Sequence, residues 1–218
     1  MTDDLDRVYA RRFRDQHRAS KDRIWPPIVA YLRRYFVDGP IIDIGCDQGY
    51  FIRNVTAAER WATDLRDASG ALTPDIRFVQ ADGLLLDKAL PLDHFGVAFM
   101  SNYLEHLPSR DAVVDQLRVV RRILRPGGRV IVLQPNVRLV GGSYWDFIDH
   151  KVPMTEHSLE EAADTAGFDT RALITRFLPY STKGRLPQHP ALVRAYLAFR
   201  PAWWLMGKQT LYVGERPP

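Results

Sequence analysis

The sequence predicts an α/β fold in which a mostly parallel sheet is covered by helices on both faces. Two observations predict it. From residue 40 onward, short apolar runs of strand length alternate with longer stretches whose apolar residues recur at helical spacing. The first run, Ile41-Ile42-Asp43-Ile44, ends in the glycine-bearing turn Gly45-Cys46-Asp47-Gln48-Gly49, as a buried parallel strand does where it meets a ligand loop. With 218 residues and 46% hydrophobic content, the chain has enough apolar surface for one complete core, and residues 1–218 are read as a single domain.

The elements follow in order. Leu5, Val8, Tyr9 and Phe13 share one helical face among charged residues, which predicts an amphipathic helix over 4–18. A second helix is expected to open at Pro26-Pro27, where proline suits a first turn, and to bury Ile28, Leu32 and Tyr35. Strand one covers 40–44 and its helix 49–57. Trp61-Ala62-Thr63 forms strand two, ending at Asp64; strand three runs from Ile76 to Ala81 and strand four from Phe95 to Ser101. Val113, Leu117, Val120 and Leu124 stripe a helix from Ser109 to Arg125, which Pro126-Gly127-Gly128 stops before strand five, Arg129 to Gln134. A long connection over 136–157 follows. Ser158-Leu159-Glu160-Glu161 reads as a capping box opening a helix that closes at Gly167. A strand over 168–178, a proline-punctuated stretch, an aromatic helix around 191–205 and a last strand from Thr210 to Val213 complete the chain.

Composition excludes several classes. The formal net charge of +4 is mild, and bases interleave with acids along most of the chain, which describes a mixed solvated surface and no nucleic-acid partner. Cys46 is the sole cysteine, so neither an intramolecular disulfide nor a cysteine-cluster metal site is available. Met1 to Arg18 is charged and lacks an apolar signal core, and no apolar run is long enough to span a bilayer. A cytoplasmic chain without stable membrane insertion is expected.

Parallel sheets bind ligands beyond the carboxyl ends of their strands. The residues at those ends are Asp43 to Gly49, Asp64, Asp82, Ser101-Asn102 and Pro135-Asn136. A dinucleotide loop wants Gly-x-Gly-x-x-Gly, yet here Asp47 and Tyr50 hold the second and third glycine positions. A carboxylate would repel a pyrophosphate. It would favour S-adenosylmethionine, whose sulfonium and ammonium are positive: at 4 Å and an effective dielectric near 20, one such pair contributes about 4 kcal/mol before desolvation is subtracted. Asp64 can accept hydrogen bonds from both ribose hydroxyls, or simply cap a helix. Asp82, in Asp82-Gly83, can accept from the adenine amino group, or only make a turn.

The run Ile41 to Gly49 resembles motif I of the class I S-adenosylmethionine-dependent methyltransferases. Ser101-Asn102-Tyr103-Leu104-Glu105-His106-Leu107 and Arg122-Ile123-Leu124-Arg125-Pro126-Gly127-Gly128 resemble later landmarks of that superfamily. The resemblance covers roughly residues 38–135. It implies a Rossmann-like three-layer sandwich, with a seven-stranded, mostly parallel sheet and an antiparallel last strand over Thr210 to Glu215. N-terminal helices (1–38), a cofactor-binding core (39–135) and an acceptor side with a helical insertion or lid (136–218) would make up the domain. It further implies that Asp43 and Gly45 line the methionine end, Asp64 the ribose and Asp82 the adenine, with Gly49, Leu65, Gly83 and Ser101 also among the cofactor-binding residues. Asp47 and Gly96 depart from the pattern, which commonly has glycine and aspartate there. Gln134-Pro135-Asn136, Tyr144-Trp145-Asp146-Phe147 and Asp149-His150-Lys151-Val152-Pro153 resemble a bacterial subgroup associated with polysaccharides and glycolipids. A sugar or glycolipid acceptor is the partner this implies.

Methylating a sugar hydroxyl needs help in removing its proton. His150 beside Asp149 is the first candidate base, the alternative being a surface Asp-His pair. His106 is the second, with a packing or cofactor-orienting role as its alternative. Glu105, Asp149 and His150 together could hold Mg2+ through hard ligands. Tyr144, Trp145, Phe147, Trp203 and Trp204 could stack on a sugar ring or belong to the core; residues 191–207 read as a lid in preference to a membrane contact, and a homodimer contact stays open. Other readings stay open: a lipid, quinone or aromatic acceptor, or a donor-binding partner protein without turnover. An NAD-linked oxidoreductase fits the sheet but not the loop.

Overall fold

The computed structural model describes residues 15–180 and 189–218. Its centre is one seven-stranded sheet built from β1 (Ile41–Ile44), β2 (Arg60–Asp64), β3 (Ile76–Gln80), β4 (Phe95–Ser101), β5 (Leu124–Pro135), β6 (Asp169–Leu178) and β7 (Gln209–Glu215). The spatial order is β3-β2-β1-β4-β5-β7-β6, and β7 runs antiparallel to both neighbours while the other pairings are parallel. The chain winds outward from β1 in one direction and then, from β4, in the other. That reversal leaves a crevice at the carboxyl ends of β1 and β4. Register then fixes which residues meet there. Ile44 pairs with both Thr63 and Met100, so Gly45, Asp64 and Ser101 leave the sheet side by side.

Side chains alternate between two buried faces, as strand geometry requires. Ile42, Ile44, Ala98, Met100, Val130 and Val132 pack on one face beneath α2 (Arg110–Ile123) and α3 (Glu156–Thr165), which contribute Val113, Leu117, Val120, Leu159 and Ala163. Ile41, Val97, Phe99, Ile131 and Leu133 pack on the other, beneath α1 (Asp15–Leu32), α4 (Pro190–Ala198) and α5 (Arg200–Met206). Leu32 and Leu117 are both 0% exposed, and full burial of such a side chain contributes about 1.5–3 kcal/mol. Among the described residues no helix is long and apolar enough to cross a membrane.

Several boundaries differ from expectation, each for a local reason. Leu5, Val8, Tyr9 and Phe13 lie outside the described residues. The helix expected to open at Pro26-Pro27 is the second half of α1. Two prolines cannot donate the i→i−4 bonds that would reach the carbonyls of Asp22 and Arg23. Both residues are exposed to water, and the buried run Pro27-Ile28-Val29 anchors the helix through the gap. The helix expected over 49–57 is replaced by turns and one 3-10 turn, Ile52–Asn54. Side chains have taken the carbonyls a helix would use: Asn54 Nδ2 donates to Tyr50 O at 2.8 Å, and Arg60 Nη1 donates to Ile52 O and Val55 O.

Pro126-Gly127-Gly128 does not separate helix from strand. β5 already begins at Leu124, and the glycines bulge out of it, so the partner jumps from Leu124 to Arg129 as β4 passes from Phe95 to Val97. Gly96 is needed there because a Cβ would run into Asp38 O. The helix opened by a capping box begins earlier than Ser158. Thr155 is its N-cap and Ser158 is the third helical residue, each side chain accepting from the other's backbone N–H at 3.2 and 2.8 Å. The aromatic helix breaks at Phe199, and Pro201 sits in the first turn of α5. Both halves pack as a layer of the fold, with Trp203 buried against Tyr31 and Phe177.

Candidate functional site

The loop after β1 is tied to the end of β2. Gly45 and Cys46 both donate to Thr63 O, at 2.8 and 3.0 Å, and Gly49 closes the turn on Cys46 O at 2.8 Å. Gly45 has φ +69°, and a Cβ there would sit 2.5 Å from Tyr103 Cδ2. Asp47, which departs from the family pattern, adopts φ +48°, a conformation aspartate tolerates better than most residues. Its N–H donates to Asp64 Oδ2 at 3.0 Å, and Arg66 bridges its carboxylate to that of Asp64 at 3.3 and 3.4 Å. Asp64 therefore does not cap a helix. Its Oδ1 takes the Arg66 N–H at 3.0 Å, organising a turn around a carboxylate that stays at the mouth of the crevice. Leu65, beside it, is half exposed.

Three carboxylates thus gather at one loop. Asp43 is the deepest: burial pushes its carboxyl up to about 8, a backbone hydrogen bond from Ile52 opposes this, and the negative charges of Asp64 and Asp47 add to the rise. Lys21 of α1 lies near Asp47 and Tyr50, with burial lowering its pKa and Asp47 raising it. Asp82 is exposed and caps the turn Gly83–Leu85, accepting the Leu84 N–H at 3.0 Å. Ser101 is half-buried and accepts from Asn102 Nδ2 at 3.0 Å.

Tyr103 was not singled out by sequence reasoning. Its ring spans from Gly45 to Gly83, where a Cβ would collide with the phenol oxygen, and its hydroxyl donates to Gln116 Oε1 at 2.9 Å. It closes the space between the loops after β1 and β3. An aromatic residue immediately beyond β4, in a crevice otherwise walled by glycines, was the available signal.

On the other side of β4 the acceptor candidates converge. Lys151 and Val152 both donate to Glu105 O, at 2.8 and 3.1 Å, which draws the 147–152 loop against the turn Leu104–His106. His150 is buried, and its Nδ1 lies 2.8 Å from Tyr144 O. A carbonyl can only accept, so Nδ1 carries a proton and donates it there. The rings of Tyr144 and Phe147 flank it at 4.7 and 5.0 Å. His106 Nδ1 lies 3.1 Å from Asp149 O and 3.3 Å from Asp149 Oδ2, and its ring centroid is 5.1 Å from that of His150.

Glu105 is 0% exposed, and neither carboxylate oxygen has a hydrogen-bond partner. Burial raises its pKa, chiefly against the pull of His106. One ligand atom each from Glu105, His106 and His150 lie within 4.8 Å of one another. This group differs from the expected Glu105, Asp149 and His150, because Asp149 reaches the cluster through His106. Two imidazoles and one carboxylate suit a borderline transition ion better than Mg2+, which prefers oxygen. Of the aromatic candidates, Tyr144 and Trp203 are core, Phe147 is half-buried beside His150, and Trp145 and Trp204 are exposed.

A family model described as a methyltransferase domain matches residues 11–173. The chain belongs to the methyltransferase-domain family. No curated protein matches it. Among solved structures it is similar to a chain in the Haloferax volcanii complex that contains the Trm112 methyltransferase activator, with a TM-score of 0.68, 17% identity and 97% coverage of each chain. It is also similar to a SAM-dependent methyltransferase from Archaeoglobus fulgidus (0.61, 17%, 87% of this chain and 93% of that one) and to one from Mesorhizobium loti (0.60, 20%, 87% and 96%). The family makes the chain a methyltransferase, and the structural likeness shows that its seven-stranded sheet is the class I fold of S-adenosylmethionine-dependent methyltransferases.

Proposed function

We propose that the protein moves the methyl group of S-adenosylmethionine to a hydroxyl of a sugar unit in a glycan or glycolipid. One observation carries the donor half. Burial, with Asp64 and Asp47 adding to it, raises the Asp43 carboxyl to about 8, and a cationic ligand favours its ionised form while a diphosphate opposes it. Asp43 and Gly45 then face the methionine end, Asp64 and Leu65 the ribose, and Asp82 and Gly83 the adenine. Ser101 lies beside them, and Tyr103 backs the cleft between the two loops.

The donor supplies an electrophilic carbon on sulfur; the protein must align the hydroxyl and remove its proton. His150 is the proposed base: its Nδ1 is committed to Tyr144 O, and Nε2 is the ring nitrogen that would take the proton. His106, held by Asp149, lies one ring away and can pass the proton outward. The half-buried Phe147 and exposed Trp145 offer faces for a sugar ring. Incubating the protein with labelled donor and a panel of saccharides, quinones, phenols and proteins tests the assignment. Transfer confined to a non-sugar class rejects it.

The buried Glu105 carboxylate, which has no hydrogen bond and lies 3.9 Å from His106 Nε2, supports a second reading of the same cluster. In it Glu105, His106 and His150 hold a divalent ion, which would acidify the hydroxyl in place of a base. Chelation separates the two: activity that survives exhaustive EDTA treatment excludes the metal.

A further inference from the structure

Between Asp169 and Glu215 the chain contains no aspartate or glutamate, while Arg176, Arg194, Arg200 and Lys208 fall inside that interval; Arg171, also inside it, is paired with Asp169 and Glu215. The same interval supplies four large exposed hydrophobic side chains: Trp204 and Leu205 at 75%, Phe199 at 63% and Leu192 at 51%. They are not scattered. On α5, Arg200 and Trp204 stand four residues apart, with Pro201 and Leu205 one step round; all four are exposed, as is Lys208 just beyond the helix. Leu192 and Ala195 are exposed on α4, and Phe199 is exposed at the break between the two helices. The opposite side of these helices is fixed in the core through Leu197 and Trp203.

We propose that this face of α4 and α5 docks the protein peripherally on an anionic lipid bilayer. The charge selects an anionic surface, and the indole and leucine select one with an apolar interior just beneath its charges. A nucleic acid would satisfy the arginines but leave Trp204 and Leu205 with nothing to enter. The position also matters. Immediately after α5, Lys208 donates to Leu178 O at 2.8 Å and accepts from Asn136 N at 3.0 Å, so the stripe ends at the sheet end from which the acceptor loop departs. Docking there brings the His150 side of the molecule towards the headgroups. The inference stands independently of which acceptor is methylated, because binding is read without turnover.

The test is co-sedimentation of the full chain with vesicles of phosphatidylcholine alone or mixed with phosphatidylglycerol. Pelleting is expected only with the mixed vesicles, and it should weaken as salt is raised. Trp204→Glu with Leu205→Glu should reduce it about tenfold or more at unchanged melting temperature, since both side chains are exposed. Arg200→Gln with Lys208→Gln should abolish the preference for phosphatidylglycerol. Three results would overturn the proposal: no pelleting with either vesicle, pelleting indifferent to both pairs of substitutions, or a concentration-dependent dimer that the Trp204→Glu, Leu205→Glu pair dissolves.

Discussion

Asp43 gives the sharpest test of the donor site. Its carboxyl is raised from the ordinary 3.8 to about 8. At pH 7 roughly nine in ten molecules therefore hold it protonated. A positive sulfonium or ammonium about 4 Å away, at an effective dielectric near 20, favours the ionised form by roughly 4 kcal/mol, or about three pKa units. Binding the donor at pH 7 should therefore expel close to one proton. Calorimetric titration in buffers of different ionisation enthalpy measures it as the slope of observed heat against buffer enthalpy. The expected slope is about one proton at pH 7, falling towards zero by about pH 9, where Asp43 is already ionised. S-adenosylhomocysteine, which lacks the sulfonium, should expel less, and Asp43→Asn should expel none. A native slope of zero, or one that Asp43→Asn leaves unchanged, would refute the electrostatic account of the loop. The same shift sets the stability of the donor-free protein. A carboxyl whose folded pKa is raised binds its proton more tightly than the unfolded chain does, so its contribution is complete below about pH 4 and is lost as pH rises to about 8. The slope should approach about 1.4 kcal/mol per pH unit and flatten in Asp43→Asn.

Asp64→Ala should weaken donor binding by about 1.5–3 kcal/mol, measured calorimetrically, through loss of charged hydrogen bonds; no loss would remove Asp64 from the site. His150→Gln should lower kcat by about 10²–10⁴ while donor affinity holds, and the acidic limb of the pH–rate profile should vanish with it. Tyr103→Phe should cost about 1–3 kcal/mol in urea unfolding, because Gln116 is fully buried and would lose the donor to its Oε1. Adding Gln116→Leu to that variant should restore much of the loss.

The sheet was legible because its signals are local. Phe95 to Ser101 has the strand length and apolar run that a doubly covered strand needs, and β4 occupies those residues. Ser109 before a striped helix is a cap whose oxygen accepts the Ala112 N–H at 3.1 Å. Boundaries failed where a distant side chain competed with local preference. Nothing near Ile52 announces that Arg60 will claim its carbonyl, and Pro26-Pro27 reads as a start because the burial of Ile28 and Val29 that carries α1 through the prolines is tertiary.

The acceptor cluster shows the limit more plainly. Asp149-His150 looks locally like a self-contained pair, since adjacent residues suggest an acid orienting its base. The fold divides them: His150 is oriented by the carbonyl of Tyr144, and Asp149 serves His106. Two backbone hydrogen bonds onto Glu105 O make that exchange possible, by laying the 147–152 loop on the turn after β4. Backbone donors carry no sequence signature, because every residue but proline has one. The identities of the chemical groups could be read from the chain, but their partnerships depend on a loop docking that any side chains at Lys151 and Val152 could make. A Glu105→Gln substitution should leave this docking intact, since it is the main-chain oxygen that is held, and should perturb only the chemistry of the cluster. Val152→Pro, which deletes one of the two donors, should separate His150 from His106 and lower turnover while all four titratable side chains remain.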